Sequence, residues 1–272
     1  MTIFGACNNL RRICQLIHVM IHYEFPLNEK VRTWLRLEDL FARMTHFVLQ
    51  DDAVDHHEAL TTLFEILEAS GRADLKSALL QELELQKRNL TQRADNDPIL
   101  SGHNIEETLQ ELEHVTTDLL AMLGKIGQHL RKNEWLMVIK QRASMPGGTC
   151  EFDLPSYHYW LQQPSAVRRA DLEAWLSPLL PIQEGIRIAL RMLRASGHTL
   201  NFVARNGNFQ QMQGGRNTQM LRLALPRALP CVPEVGANRY AINIRFLHAD
   251  YLAKSTVFAQ DVSFHLTFCE LA

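Results

Sequence analysis

The sequence is poor in the features that mark an exported, membrane-spanning or metal-built protein. Its five cysteines, at positions 7, 14, 150, 231 and 269, are odd in number and widely scattered. No Cys-x-x-Cys pair occurs, so neither a disulfide framework nor a zinc knuckle is indicated, and a reducing cytosol fits best. No apolar run reaches the roughly 18 residues needed to cross a bilayer, which points to a soluble protein without membrane insertion. The stretch from Leu10 to Val19 could pass for a signal peptide, but Arg11, Arg12, Gln15 and His18 interrupt any apolar core and no small-residue cleavage site follows. Catalytic signatures are missing too. There is no Gly-x-Ser-x-Gly and no His-Glu-x-x-His, and Pro146-Gly147-Gly148 lacks the Gly-Lys-Ser/Thr that completes a phosphate loop.

Charge of one sign is scarce only in the total. The net charge of -2 conceals an acidic first half: residues 24–155 hold 14 Lys+Arg against 23 Asp+Glu, a balance of -9. Residues 156–272 hold 12 against 7, a balance of +5. The basic part suits an anionic partner. At 272 residues and 46% hydrophobic, the chain can bury one large core or two smaller ones.

Periodicity predicts an α+β protein: a mostly helical domain plus an antiparallel β-domain assembled from discontinuous segments. Ile21 to Phe25 alternates like a strand and is closed by Pro26. A helix follows with Val31, Trp34, Leu35, Phe41, Met44 and Val48 near one face. Asp55-x-x-Glu58 and Asn104-x-x-Glu107 read as capping boxes opening two further helices, with a third between them from about Asp74 to Arg93 and a loop over Asp95 to Pro98. Gly124 and Gly127 precede a helix over Arg131 to Ala143. Met145-Pro146-Gly147-Gly148 stops that helix, Thr149 to Leu154 reads as a short strand, and Pro155 with Ser156 opens the next helix. Ser165 to Leu176 and Ser177 to Ala195 read as helices, the latter closed by Gly197. Asn206-Gly207, between Leu200–Arg205 and Phe209–Met212, is the dipeptide suited to a primed hairpin turn. Met220 to Leu225, Arg239 to Leu247 and Thr256 to Phe268 complete the strands. The expected domains are therefore 26–143 with 156–197 for the helical part, and 20–25, 147–155 and 198–272 for the β part. Residues 1–19 read as an upstream-start artefact or a disordered extension.

Two groups of residues invite a chemical reading. Asp51, Asp52, Asp55, His56, His57 and Glu58 have the residue types of a metal site, and a metal-dependent hydrolase at Asp55 and His56 is one alternative. Against it, adjacent histidines rarely converge on one ion, and Asp55 and Glu58 have capping work; a solvated helix start is the simpler expectation, with no cofactor. His158, close to Trp160 and Leu161, reads as a packed histidine. The second group is a row of cations. Side chains alternate along a strand, so Arg239, Asn243 and Arg245 oppose Tyr240, Ile242, Ile244 and Phe246, and Arg222 opposes Leu221, Leu223 and Leu225. An ordinary solvated face and a binding face are equally compatible with that pattern. A nucleic-acid-binding module is the other alternative, but it needs aromatics interleaved with the cations, and parity places Tyr240 and Phe246 on the core side.

Two motif blocks carry a family resemblance. Pro146-Gly147-Gly148, Cys150, Phe152-Asp153-Leu154-Pro155, His158 and Trp160-Leu161 form one. Phe25-Pro26-Leu27-Asn28-Glu29-Lys30 with Arg32-Thr33-Trp34-Leu35-Arg36 forms the other. Together they resemble the signature of the ZapD family of FtsZ-binding cell division proteins. Shorter matches at Ile126-Gly127-Gln128, Leu130-Arg131, Asn206-Gly207 and Leu221-Arg222-Leu223 extend the similarity from about Tyr23 to the C-terminus. Residues 1–19 match nothing in the family, and Met20 stands where its members usually begin. The resemblance implies a non-enzymatic cytoplasmic protein at the midcell division site, a homodimer that binds the C-terminal tail of FtsZ and cross-links FtsZ filaments. It also implies that Arg72, Arg222, Arg239 and Arg245 are the basic positions that recognise the tail, with no metal or nucleic acid involved.

Overall fold

A computed structural model describes residues 20–71, 74–96, 103–212, 217–238, 240–250, 252 and 254–270, with the backbone alone for 93–96 and 103–104. Backbone contacts divide the chain into two compact units, one formed by the N-terminal segment up to Arg32 with Leu193 onward, the other by Thr33–Met192. The α+β class is as the periodicity requires.

The first helix, α1 (Glu29–Val48), buries Val31, Trp34, Leu37, Phe41, Met44 and Val48. Their spacing of three and four puts them on one stripe, and Leu37 takes the core position expected of Leu35. Asn28 caps it, accepting the Val31 N–H at 2.8 Å. Helix α2 (Ala53–Ser70) starts two residues before the expected box: Asp52, not Asp55, is the cap, and its side chain accepts the Val54 N–H at 2.8 Å. Asp55 then lies in the first turn, where a carboxylate complements the helix dipole. Helix α3 (Leu75–Asn96) runs on through Asp95 and packs against α4 (His103–Ala121), with Leu79 and Leu83 of the one and Leu112 and Leu119 of the other buried. The expected cap Asn104 lies outside the residues whose side chains are described, as does Pro98 altogether.

Beyond α4 the helix anticipated from Arg131 begins three residues later, as α6 (Glu134–Ala143), after a separate single turn, α5 (Gln128–Arg131). Asn133 interrupts them, turning its side chain to accept the Leu136 N–H at 3.1 Å and cap a new start. The expected strand Thr149–Leu154 does not form. Its residues make successive turns, with Asp153 and Leu154 N–H groups both donating to the Cys150 carbonyl at 3.0 Å. Phe152 is 80% exposed, so no apolar face exists for a sheet to bury, and Leu154 leads directly into α7 (Pro155–Leu161). Segment 147–155 accordingly lies within the helical unit. Helix α8 (Ser165–Leu176), a 3₁₀ turn (Ser177–Leu179) and α9 (Leu180–Ala195) follow, so the expected helix from Ser177 starts as a tighter turn around Pro178.

The β unit holds two antiparallel sheets. Strand β1 (Met20–Pro26) pairs with β4 (Met220–Pro226), so the N-terminal strand does join the C-terminal ones. With β2 (His198–Ala204) and β7 (Val262–Cys269) the first sheet has the order β1-β4-β7-β2. The second is β3 (Asn208–Met212), β6 (Ala241–His248) and β5 (Cys231–Ala237), in the order β3-β6-β5. Leu221, Leu223 and Leu225 from β4, Phe264 and Leu266 from β7, and Ile242, Ile244 and Phe246 from β6 form one buried cluster, so the inner faces of both sheets share a core.

Three details depart from the expectations. Asn206 (φ 46°) and Gly207 (φ 70°) do adopt the left-handed turn. The flanking strands, however, meet only at the Arg205–Asn208 bridge before β2 joins β7 and β3 joins β6. The turn is thus a corner between sheets rather than a hairpin, closed by Phe202 and Phe209 at 4.9 Å between ring centroids. Strand β5 was hidden by Pro233 and Gly236; it is an edge strand, where a missing N–H is tolerated. Tyr240 precedes β6, and it is 58% exposed rather than on the core side.

Candidate protein-binding site

Of the four basic positions, Arg72 and Arg239 lie outside the described residues. The structure does not bring the other two together. Arg222 is on β4, facing away from the cluster that takes Leu221 and Leu223, and Arg245 is on β6, facing away from the same cluster beside Ile244. Because the two sheets share that core between them, these arginines project from opposite outer faces. The expected single row does not include both.

Each is also paired with a carboxylate. Arg222 Nε lies 3.0 Å from Glu24 Oε1, across the β1–β4 pair in which Glu24 and Arg222 are direct partners. Arg194 engages the same carboxylate through both branches of its fork, at 2.9 and 2.8 Å. Burial works to raise the Glu24 pKa, but the Arg194 bonds and both positive charges outweigh it and hold the group below its ordinary value. Arg245 Nε donates to Glu234 Oε2 at 2.9 Å, and Nη2 donates to the same oxygen, from directly opposite on β5. This second pair is open to solvent on both sides.

The helical unit carries a groove of about 1200 Å³ that sequence reading did not single out. Gly71 and Asp74 are in its wall. Among the described residues five cations line it, Arg36, Lys76, Lys125, Arg131 and Lys140, against the carboxylates of Glu65, Glu68 and Asp74. Three of the cations are committed. Lys76 donates to the Met122 carbonyl at 2.7 Å, Arg131 to the Leu67 carbonyl at 2.9 Å, and Lys140 pairs with Glu68 at 2.6 Å. Arg36 and Lys125 have no ion pair among the described residues. One signal was available in the sequence: Arg36 ends one motif block and Arg131 ends a shorter one, and folding sets both in the same wall.

The Asp51–Glu58 cluster is organised by hydrogen bonds rather than by convergence on a point. His56 is fully buried with both ring nitrogens engaged, Nε2 with the Gln50 carbonyl at 2.8 Å and Nδ1 with Arg168 Nε at 2.9 Å. His57 Nδ1 meets the Tyr157 hydroxyl at 2.6 Å. Among the described residues no three His, Cys, Asp or Glu side chains are grouped to hold a metal ion. His158 is half-buried, 3.7 Å from the Glu151 carboxylate. Nor is any helix among the described residues long and apolar enough to cross a membrane.

Comparison with known sequences gives the class first: the chain is a cell division protein, since the family model described in those words matches residues 35–245. It belongs to the ZapD family. Curated relatives named cell division protein ZapD are 53% identical in Aromatoleum aromaticum over 93% of this chain and 98% of theirs. The one from Azoarcus sp. is 51% identical over 93% and 100%, and the one from Chromobacterium violaceum 50% identical over 92% and 100%.

Proposed function

We propose that this chain is a non-enzymatic division factor that binds the C-terminal tail of FtsZ and, as a homodimer, cross-links FtsZ filaments to stabilise the Z ring at midcell in the cytoplasm. The observation that carries the reading is the groove of the helical unit, into which two stretches of the family motif deliver Arg36 and Arg131. A groove with five cations and three carboxylates suits a short peptide bearing acidic side chains. The groove's Arg36 and Lys125 are the tail-contacting cations on this reading, and Arg72, Arg222, Arg239 and Arg245 are the positions the family resemblance adds, of which Arg222 and Arg245, on opposite outer faces, do not serve one tail together. Arg245 exchanges Glu234 for a tail carboxylate. A protomer with one tail site joins filaments only when paired, and two sites on a polymer raise the effective concentration of the second capture.

The test is co-sedimentation with polymerised FtsZ, intact and lacking its tail, together with the mass in solution by light scattering. Pelleting and bundling are expected with intact FtsZ only, at twice the 31.2 kDa chain mass. Pelleting that ignores the tail, or a monomeric mass across the working range, contradicts the mechanism. The rival nucleic-acid reading gains an exposed aromatic in Tyr240, yet Arg245 on the same strand segment is neutralised by Glu234. An oligonucleotide competitor in the same assay separates the two.

A further inference from the structure

Consecutive arginines at the start of α8 tie the α1–α2 turn and the α7–α8 turn of the helical unit together. Arg169 reaches the end of α1: its Nε donates to the Val48 carbonyl at 2.9 Å and its Nη2 to the carbonyls of Leu49 and Gln50 and the Asp51 carboxylate. These are the orphan acceptors of a helix C-terminus, where a cation is also favoured by the dipole. Arg168, only 5% exposed, holds the other side. Its Nη2 donates to the Asp51 carbonyl at 2.6 Å, and its Nη1 to the carbonyls of Leu161 at 2.8 Å and Gln163 in the α7–α8 turn. Its Nε donates to His56 Nδ1. All four acceptors are uncharged, so the guanidinium depends on every bond being kept.

That arrangement fixes the state of His56. Accepting at Nδ1 requires the ring proton on Nε2, which donates to Gln50. A second proton has one place to go, Nδ1, where it meets the Arg168 N–H head-on. The charged groups facing the ring are Arg168 and Arg169 from α8 and Asp51 from the α1–α2 turn, and the Asp51 carboxylate is already paired with Arg169. We propose that His56 is the acid-sensitive release of this clasp: protonating it expels Arg168 and uncouples the α1–α2 turn from the α7–α8 turn.

Burial, opposed by the Gln50 bond and reinforced by Arg168, holds His56 below its ordinary 6.5. A base depressed on folding contributes stability that is complete above the unfolded value and fades as pH falls through 6.5 toward the folded one.

Amide hydrogen exchange on the full chain, corrected for intrinsic rates, tests this between about pH 7.5 and about pH 5.5. Protection of residues 49–56 and 161–168 should fall together as pH drops below 6.5, by up to about tenfold for each pH unit, and level off beneath the folded pKa of His56. In His56→Asn, which keeps an acceptor oxygen for Arg168 without a titrating ring, the profile should be flat. His57→Gln should keep the wild-type response. A flat wild-type profile overturns the proposal, as does a response retained in His56→Asn. Should that variant not fold, an NMR titration of the wild-type ring decides: His56 titrating at or above the ordinary histidine value rejects the release.

Discussion

Glu24 answers to two guanidinium groups, and its loss would leave Arg194 and Arg222 close together without the carboxylate they share. Glu24→Gln should therefore destabilise the protein by roughly 1–3 kcal/mol, less than a fully buried pair would cost because the site is partly solvated. The sign follows from the depressed pKa: this stability is present above the ordinary carboxyl value of 4.5 and disappears as pH falls through the folded value. Urea denaturation of wild type and variant at neutral pH and near pH 3 checks both, the difference shrinking at about pH 3. The tail-binding cations make a different kind of prediction. Arg245→Glu exchanges an exposed pair for a repulsion with Glu234, so its cost to folding should stay near ~1 kcal/mol. On the proposed function, this variant and Arg36→Glu both weaken capture of intact FtsZ. Added salt weakens wild-type capture as well, through screening over about 10 Å at 0.1 M. Wild-type capture by Arg36→Glu with an unchanged melting curve would remove the groove from the site.

Helix α2 offers a choice between two neighbouring carboxylates, and the geometry decides it. Asp52 has the extended backbone and the bond to Val54 N–H that a cap needs, whereas Asp55 is already helical. Asp52→Ala should cost about 1 kcal/mol, and Asp55→Ala only the few tenths that a first-turn charge contributes. Equal losses, or the reverse order, in thermal unfolding would restore the box that the Asp-x-x-Glu spacing suggests. The same contest between local signal and context explains the turn at Asn206-Gly207. Two successive positive φ values are a local demand that this dipeptide meets. A Cβ on Gly207 would stand 2.2 Å from the Phe258 carbonyl, so neighbours as well as backbone require glycine there. Whether the strands beyond it pair with each other is not a local matter, and here each finds a longer partner.

At the scale of the molecule, the β unit takes its first strand from one end of the chain and the others from the opposite end. Such long-range pairing closes only after the intervening helices are in place or held together, so the unit should fold late. A chain starting at Met20 keeps every pairing of β1, from Met20–Pro226 to Pro26–Met220. It should melt and capture FtsZ as the full chain does. A fall in melting temperature beyond a few degrees on removing residues 1–19 would show that they contribute to the fold after all.

The class of fold, most helices and the buried faces of β6 and β7 were written in periodicity, because the alternation of Ile242, Ile244 and Phe246 and the three-and-four spacing in α1 depend only on backbone geometry. The family followed from two long motif blocks that the comparisons agree with. Strand β5 was not anticipated and the turns at 149–154 were expected as a strand because strand status depends on a neighbour: an edge tolerates Pro233, and an exposed Phe152 has no sheet to join. The placement of charge was the tertiary structure's to decide. Parity along each strand shows that Arg222 and Arg245 point outward, but only the packing of two sheets over one core sends them to opposite faces and pairs them with different carboxylates. Only folding, likewise, sets Arg168 beside a histidine 112 residues away, since hydrogen-bond partners are chosen by proximity in space and the sequence orders residues along the chain alone.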